Sequence, residues 1–288
     1  MTKPMTADPR PPLAAGADDA ALVEHRESGE QVYQGALLDV RRDRVRMPDG
    51  GFAVREYIVH PGAVLVVPVA GDGRFVVERQ FRYPPNRTFL EFPAGKLDPD
   101  ESALETGVRE LVEEAGYRAV HWTRLGTVHP VISYSTETIA IYEARRLSHV
   151  GARLDAGEFL EVDLLGEDAL YAAVDEGRLT DAKTVAALAM RTRWGAASQR
   201  SVRVHVTGRV QGVGYRDWTL HKARAFGVTG WVRNLRDGSV EAVFQGPRDA
   251  CDRLSDACAD GPAAAEVTLV EVERAPRDDA LTGFDFRR

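Results

Sequence analysis

The sequence predicts two domains of mixed secondary structure, an α/β domain followed by a smaller α+β domain. The first observation is length, because 288 residues exceed a typical single domain and suffice for two hydrophobic cores. The second is a run of small and polar residues at 195–199, directly after a helical pattern. The third is the order strand, helix, strand, strand, helix, strand in residues 201–288, which is typical of a ferredoxin-like split β-α-β domain.

These observations set the predicted boundaries. Residues 1–30 are rich in Ala, Pro and Asp and lack sustained periodicity, so we expect a disordered tail, with Ala20–Val23 as a candidate short helix. The first domain is predicted at residues 31–195 and the second at 201–288, joined by a linker at 196–200.

The charge distribution limits the classes of partner. The net charge is −7, and residues 201–288 contribute 13 basic and 13 acidic side chains, so the acidic excess lies in the first 200 residues. This balance argues against nucleic acid or an anionic membrane as a partner. There is no apolar stretch of membrane-spanning length and no secretory signal pattern, so we expect a cytoplasmic protein.

The first domain combines strand and helix patterns. Apolar runs at Ala63–Val69 and Phe75–Phe81 flank the turn residues Gly71-Asp72-Gly73, which predicts a β-hairpin. The remaining predicted elements are a helix at Ala103–Ala115, strands near Arg124–Val128 and Thr138–Glu143, and a helix near Ala182–Arg193.

The second domain begins with a strand in which Val202, Val204 and Val206 alternate with polar residues. A helix follows Gly214, and two strand patterns then meet at the turn pair Asp237-Gly238. The last predicted elements are a helix that carries Cys251 and Cys258, and strands near Val267–Val272 and Phe284–Phe286.

Three glutamates share one face of the helix at Ala103–Ala115. At about 100° per residue, Glu110, Glu113 and Glu114 lie within an arc of about 100°, opposite an apolar face. Three neighbouring carboxylates repel one another. Either the face is solvated, or a hard cation such as Mg²⁺ or Mn²⁺ binds there and takes oxygen ligands.

The segment Gly95–Tyr117 resembles the Nudix box, G-x5-E-x7-R-E-U-x-E-E-x-G-U, at every fixed position. The resemblance implies an α/β/α sandwich and hydrolysis of a nucleoside diphosphate linked to another moiety. It also implies Mg²⁺ or Mn²⁺ as cofactor, with Arg109 and Glu101 orienting the carboxylates. The implied metal-binding groups are the side chains of Glu110, Glu113 and Glu114 and the carbonyl of Ala94.

The sequence on both sides of the box is similar to the ADP-ribose pyrophosphatase branch of that family. The similar segments are Arg79–Pro84, Glu91–Gly95 and Gly177–Thr184, within Gln31–Trp194. The resemblance implies that Arg82 contacts the substrate and that Glu91 helps to hold the base or ribose.

The resemblance also implies a glutamate as general base on a late loop. Glu158 is the candidate, and Glu137 and Glu161 are its rivals. The segment Val131–Glu137 departs from the more Gly-rich stretch of the relatives, which leaves the fit of the diphosphate and terminal ribose open.

The second domain has a glycine-containing loop, Gly208–Arg216, between its first strand and first helix. Glycines there allow either a tight turn or a set of inward backbone N–H groups that bind phosphate at the helix N-terminus. An arginine at the end of such a loop can bind two phosphate oxygens.

Two segments together resemble the acylphosphatase family, namely this loop and Gly230–Asn234 with the downstream Gly238, Val240 and Gly246. The family implies hydrolysis of carboxyl-phosphate anhydrides without a metal, with water positioned by Asn234. The implied phosphate-binding groups are Arg216 and the loop residues Gln211, Gly212, Val213, Gly214 and Tyr215.

The sequence therefore predicts a bifunctional hydrolase of small molecules. The first site is expected to cleave ADP-ribose to AMP and ribose 5-phosphate, and the second to hydrolyse acyl phosphates. Two alternatives stay open: another nucleotide sugar, dinucleoside polyphosphate or oxidised nucleotide at the first site, or one domain that only binds a regulatory ligand. The resemblance to the ADP-ribose branch further implies a homodimer through the first domain.

Overall fold

The computed structural model describes residues 17–154 and 157–287. After a 3-10 helix at Ala17–Leu22, the elements follow one another along the chain. They are β1 (His25–Gln34), β2 (Asp39–Arg46), β3 (Phe52–Val59), β4 (Ala63–Pro68), β5 (Phe75–Arg82), β6 (Arg87–Glu91), β7 (Ala94–Lys96), α1 (Ala103–Glu113), β8 (Tyr117–Val128), β9 (Ile139–His149), β10 (Leu160–Leu165), α2 (Glu167–Asp175), α3 (Ala182–Ala196), β11 (Gln199–Arg209), α4 (Tyr215–Phe226), β12 (Thr229–Asn234), β13 (Val240–Pro247), α5 (Arg248–Cys258), β14 (Glu266–Arg274) and β15 (Phe284–Phe286).

The N-terminal segment is more ordered than the sequence suggested. The predicted disorder of residues 1–16 lies outside the described residues, but β1 begins at His25, ahead of the predicted boundary. β1, β2 and β3 form an antiparallel sheet of their own, in which β1 and β2 pair from His25 to Gln34. The backbone pairing with β2 orders the residues that composition alone assigned to the tail.

The first domain is an α/β/α sandwich, as predicted. Successive residues of β4 face opposite sides of the sheet, because side chains alternate along a strand. Val64 and Val66 pack in a core with Leu111 of α1, whereas Leu65 and Val67 share a second core with Leu188 of α3. The two helices therefore cover opposite faces of the sheet that contains β4.

The predicted hairpin of β4 and β5 is wrong. The turn forms, but only one bridge, between Val69 and Phe75, joins the two runs. β4 pairs with β9 and β7, and β5 pairs with β10 and β6 in a separate sheet. The turn residues determine where the chain reverses, but they do not determine which strand each run pairs with. Both runs are almost entirely buried, so each can pair with strands distant in sequence.

The second domain confirms the ferredoxin-like prediction. Its four main strands lie in the order β12-β13-β11-β14, and α4 and α5 are the two crossover helices. β15 extends the sheet by pairing parallel to β12.

The two domains share one sheet of nine strands, because β14 pairs parallel to β8. The predicted linker at 196–200 coincides with the end of α3 and the start of β11, so that Ala197 and Ser198 alone separate the two elements. Arg200 is buried there, donates to the carbonyl of Trp194 at 2.6 Å and stacks on its ring. Within the described residues, no helix is long and apolar enough to span a membrane.

Candidate active sites

Helix α1 carries the predicted metal-binding carboxylates in its last turn. The capping box forms as predicted: the Ser102 hydroxyl accepts from the Glu105 amide, and the Glu105 carboxylate accepts from the Ser102 amide. Glu110 and Glu113 lie at the opposite end, with Glu114 as the C-terminal cap. The partial negative charge of a helix C-terminus disfavours anions there, so this position adds to the mutual repulsion of the carboxylates.

Arg109 binds two of these carboxylates. Its Nη1 donates to Glu110 and to Glu113, at 2.9 Å in each case, and its Nη2 donates to Glu101 at 3.1 Å. Arg109 thus lies between Glu101 of the preceding loop and the carboxylates of α1, where the resemblance to the Nudix box implies an orienting arginine.

Glu114 lies deeper and forms no ion pair among the described residues, although Arg82 is close enough to feel its charge. It is 4% exposed, and one carboxylate oxygen accepts from the Ala94 amide at 3.0 Å. Burial raises the pKa of Glu114 to about 9, with further contributions from the negative charges of Glu78 and Glu110. Burial likewise raises the pKa of Glu110.

These groups line a cavity of about 450 Å³. All four predicted metal-binding residues border it, and the donors are carboxylate and carbonyl oxygens, the ligands that Mg²⁺ and Mn²⁺ prefer. Gly95 borders the cavity too, and a Cβ there would overlap the Glu110 carboxylate, which explains the glycine. In the described chain, no three acidic, His or Cys side chains already converge on one point. Arg109 binds one oxygen of Glu110 and one oxygen of Glu113, and the second oxygen of a carboxylate can still accept a cation.

Arg82 and Glu91 form a bidentate ion pair. Arg82 donates through Nε and Nη2 to the two carboxylate oxygens of Glu91, at 2.9 Å each, and the ammonium of Lys183 also binds Glu91. Burial alone would raise the pKa of Glu91, but the hydrogen bonds and charges of these two cations hold it below its ordinary value. Arg82 and Lys183 line the cavity, whereas Glu91 lies behind them and orients them.

The three candidates for the general base differ in whether their side chains line this cavity. Glu158 and Glu137 both line the cavity. Glu161 does not: its side chain is 74% exposed and lies 3.3 Å from Arg79, on the far side of β5 and β10. The cavity therefore brings two of the three candidates to the metal-binding carboxylates.

Sequence reasoning missed three residues at this site. Glu78 is fully buried in β5, His60 lines the cavity 3.9 Å from Glu137, and Lys183 binds Glu91. Burial lowers the pKa of His60, so its imidazole is neutral at pH 7. An acidic residue within the apolar run Phe75–Phe81 was the one available signal for Glu78, because a buried strand rarely contains an unpaired charge.

The phosphate-binding loop of the second domain is shaped by glycines in left-handed conformations. Gly212 and Gly214 have φ values of 73° and 78°, and a Cβ at either would meet nothing within 4 Å. The glycines are therefore required for backbone conformation and not for space. Among the described residues, the backbone amides from Gln211 to Arg216 have no carbonyl or side-chain acceptor, and they precede or open helix α4. This is the arrangement of an anion-binding loop.

Gln211 ties this loop to the hairpin that carries Asn234. Its side-chain amide donates to the carbonyls of Leu235 and Ser239, at 2.8 and 2.7 Å. Asn234 ends β12 opposite Val240 and is half-buried. The Gln211 side chain thus holds the hairpin beside the loop. The backbone amide of Gln211 remains available to bind an anion.

Arg216 lies exposed in the first turn of α4. Its guanidinium is 5.7 Å from the ring centroid of Phe286, and the described residues give it no carboxylate partner. Tyr215 is buried instead, and its hydroxyl donates to the Cys258 carbonyl at 2.5 Å. Tyr215 can therefore contribute its backbone amide to phosphate binding, but not its hydroxyl.

Comparison with known proteins matches both domains. Family models match as NUDIX domain at residues 59–188, acylphosphatase at 202–286, and nucleoside diphosphate sugar hydrolase N-terminal domain at 24–58. An ADP-ribose pyrophosphatase of Bacillus subtilis is 36% identical over 58% of this chain and 92% of its own length.

An acylphosphatase of Rubrobacter xylanophilus is 51% identical over 32% of this chain and 84% of its own length. A crystal structure of an ADP compounds hydrolase superposes with a TM-score of 0.55 at 25% identity, covering 59% of this chain and 93% of that one. The chain therefore belongs to two hydrolase families, with a Nudix domain of the ADP-ribose pyrophosphatase type followed by an acylphosphatase domain.

Proposed function

We propose that the chain is a bifunctional hydrolase. Its Nudix site adds water across the diphosphate of ADP-ribose to give AMP and ribose 5-phosphate, and it requires Mg²⁺ or Mn²⁺. Its acylphosphatase site hydrolyses acyl phosphates to a carboxylate and phosphate without a metal.

The observation that supports the Nudix activity is the composition of its cavity, which is lined by the carboxylates of α1 together with Arg82 and Lys183. A divalent cation, when bound, neutralises charge on the diphosphate oxygens. Glu110, Glu113, Glu114 and the Ala94 carbonyl would hold that cation. Arg82 and Lys183 contact the anionic substrate, and Glu91 keeps both in place through its ion pairs.

Glu158 is our choice for the general base. It lies at the cavity wall, on the loop that precedes β10, and its charge is felt by Glu110 and Glu114. A carboxylate so placed can accept a proton from the attacking water. Glu137 remains its rival, since it lines the same cavity.

The observation that supports the acylphosphatase activity is a loop of unpaired backbone amides that opens into the helix carrying Arg216 and is tied by Gln211 to the hairpin of Asn234. Among the described residues no carboxylate pairs with Arg216. The amides and the guanidinium stabilise the charge that develops on the phosphoryl group. The Asn234 side chain orients water for attack at phosphorus. The leaving group is a carboxylate, which departs without protonation by a general acid.

The substrate assignment is tested by a panel on the whole chain. ADP-ribose, a nucleotide sugar, a dinucleoside polyphosphate and an oxidised nucleotide are compared by kcat/KM with Mg²⁺ and with EDTA. We expect ADP-ribose to be the best substrate and EDTA to abolish its turnover. Benzoyl phosphate should be hydrolysed equally in both conditions. Similar poor turnover of all diphosphates would overturn the choice of ADP-ribose.

We also propose that the chain is a cytoplasmic homodimer. Apolar side chains lie exposed on the N-terminal sheet, including Tyr33 at 56% and Phe52 at 51%, and a second copy would cover them. Both cysteines are free and buried, as expected in a reducing compartment. Light scattering on the purified chain should give twice the monomer mass of 31.6 kDa, and the monomer mass would refute the dimer.

A further inference from the structure

A second cavity, of about 370 Å³, lies where the two domains meet, and we refer to it as the interdomain cavity. Strands β8 and β9 and helix α3 contribute side chains from the first domain, and β14 and α5 contribute side chains from the second. Among the described residues that line it, none belongs to the two catalytic sites. Cavities that bind small molecules occur preferentially at such interfaces.

The charged groups of the interdomain cavity are almost balanced. Four arginines and five carboxylates line it, and Glu143 binds both Arg145 and Arg191, at 2.6 and 2.8 Å. The other ion pairs of the lining are Arg191–Glu167, Arg200–Asp252 and Arg248–Asp249. A polyanion gains little from arginines that are already paired, so a ligand without net charge fits this lining best.

One end of the cavity has polar groups that lack hydrogen bonds. His121 is 4% exposed, and neither of its ring nitrogens has a hydrogen-bond partner in the described chain. Arg145 lies opposite His121 in the pairing of β8 with β9, so both side chains are on the same face of the sheet. The buried Nε of Arg145 also lacks a hydrogen bond, although Glu143 lies 2.6 Å from it. Such groups are unfavourable in a protein interior unless a ligand or water binds them.

Asp256 of α5 adds a carboxylate from the second domain. It lies 3.7 Å from Nε2 of His121, which is too far for a hydrogen bond, and within the described residues it forms no ion pair with an arginine. Burial lowers the pKa of His121 to about 4, so its imidazole is neutral at pH 7 and can both donate and accept. The cavity therefore offers a guanidinium for an anionic group, a carboxylate for a cationic group and a neutral imidazole.

We propose that the interdomain cavity binds a small zwitterion with one carboxylate and one ammonium group, such as an α-amino acid. Arg145 binds the ligand carboxylate, Asp256 binds its ammonium group, and His121 forms a further hydrogen bond. The zero net charge of such a ligand suits the balanced lining. Because both domains contact the ligand, its binding stabilises their arrangement in the folded chain. The proposal does not depend on either hydrolase activity.

Thermal unfolding of the whole chain in EDTA tests this proposal. The midpoint is measured with each of the common α-amino acids at millimolar concentration, and any that raises it is titrated by calorimetry. We expect at least one amino acid to raise the midpoint and to bind at one site per chain. The amine that lacks its carboxylate and the acid that lacks its ammonium group should each bind at least about 10-fold more weakly. Absence of binding by every amino acid would overturn the proposal, and so would equal binding of the amine or the acid.

Three variants show whether the amino acid binds in this cavity. Arg145→Met and Asp256→Asn each remove one charged contact and should weaken its binding at least about 10-fold. Arg118→Met is the matched control, because this arginine is exposed on β8 and does not line the cavity, so its binding should equal that of the wild type. The circular dichroism spectrum reports whether each variant is folded. Wild-type affinity in both Arg145→Met and Asp256→Asn would place the amino acid elsewhere and overturn the site.

Discussion

The two sites of this chain have opposite electrostatic character. The Nudix cavity contains carboxylates in the last turn of a helix and at its C-terminal cap, where the helix itself disfavours them, and Glu114 is buried there. The acylphosphatase loop presents unpaired amides at the start of a helix, together with Arg216. The first site has an excess of negative charge and the second an excess of positive charge.

The difference in charge explains why one site is expected to need a metal ion and the other is not. The substrates proposed for both sites carry anionic phosphate groups, which an acidic site repels unless a cation is bound. The second site has no such repulsion, because its backbone amides and guanidinium already carry the required charge. We therefore attribute metal dependence to the first site alone, although the two domains share one sheet.

Among the variants expected to lower an activity without abolishing it, the largest effect is expected for Asn234→Ala. This change should lower kcat for benzoyl phosphate about 10³-fold, because the attacking water loses its orienting group. The loop amides and Arg216 remain, so KM should change little. Steady-state kinetics measures both constants, and ADP-ribose turnover by the same protein is the internal control. A large rise in KM with unchanged kcat would show instead that Asn234 binds substrate.

Glu158→Gln should have the next largest effect. Loss of a general base typically costs on the order of 10²–10³-fold in kcat, and the effect should be confined to ADP-ribose hydrolysis. Glu137→Gln and Glu161→Gln are compared in the same assay. Glu161→Gln should be unaffected, because its side chain points away from the cavity. If Glu137→Gln shows the greater loss, Glu137 is the base.

A smaller effect is expected in the pH dependence of stability. The folded-state pKa of Glu114 is raised to about 9 and that of Glu78 to about 8, above the ordinary 4.5 of a glutamate. Protonation of these groups therefore stabilises the metal-free fold. That contribution is fully present below pH 4.5 and is lost as the pH rises through about 8 to 9.

The measurement is the thermal midpoint of the chain with EDTA and with Mg²⁺ at several pH values between 6 and 9. We expect the increase produced by Mg²⁺ to grow with pH, because the cation displaces the proton from Glu114. An increase that is the same at every pH would contradict the raised pKa values.

The sequence predicts most of the fold because its signals are local. The capping box at Ser102 and Glu105, the left-handed Gly116 and the turn at Asp237-Gly238 each act within a few residues, and the elements that they delimit form as expected. Strand partners depend on contacts distant in sequence. For this reason the predicted hairpin of β4 and β5 was wrong, and the sequence did not predict the pairing of β14 with β8.

The same distinction applies to the sites. Motif spacing places the carboxylates of α1 and the amides of the phosphate loop, because each set lies on one short segment. It does not reveal that Lys183 of α3 binds Glu91 of β6. Nor does it reveal that the Gln211 side chain positions the Asn234 hairpin. These contacts exist only once the sheets and helices have packed.

The central claim, two independent sites with opposite charge requirements, is tested by a crossed pair of variants. Glu114→Gln and Arg216→Ala are each assayed for ADP-ribose hydrolysis with Mg²⁺ and for benzoyl phosphate hydrolysis with EDTA. Glu114→Gln should abolish the first activity and spare the second, and Arg216→Ala should do the reverse. Loss of both activities in both variants would contradict the independence of the two sites.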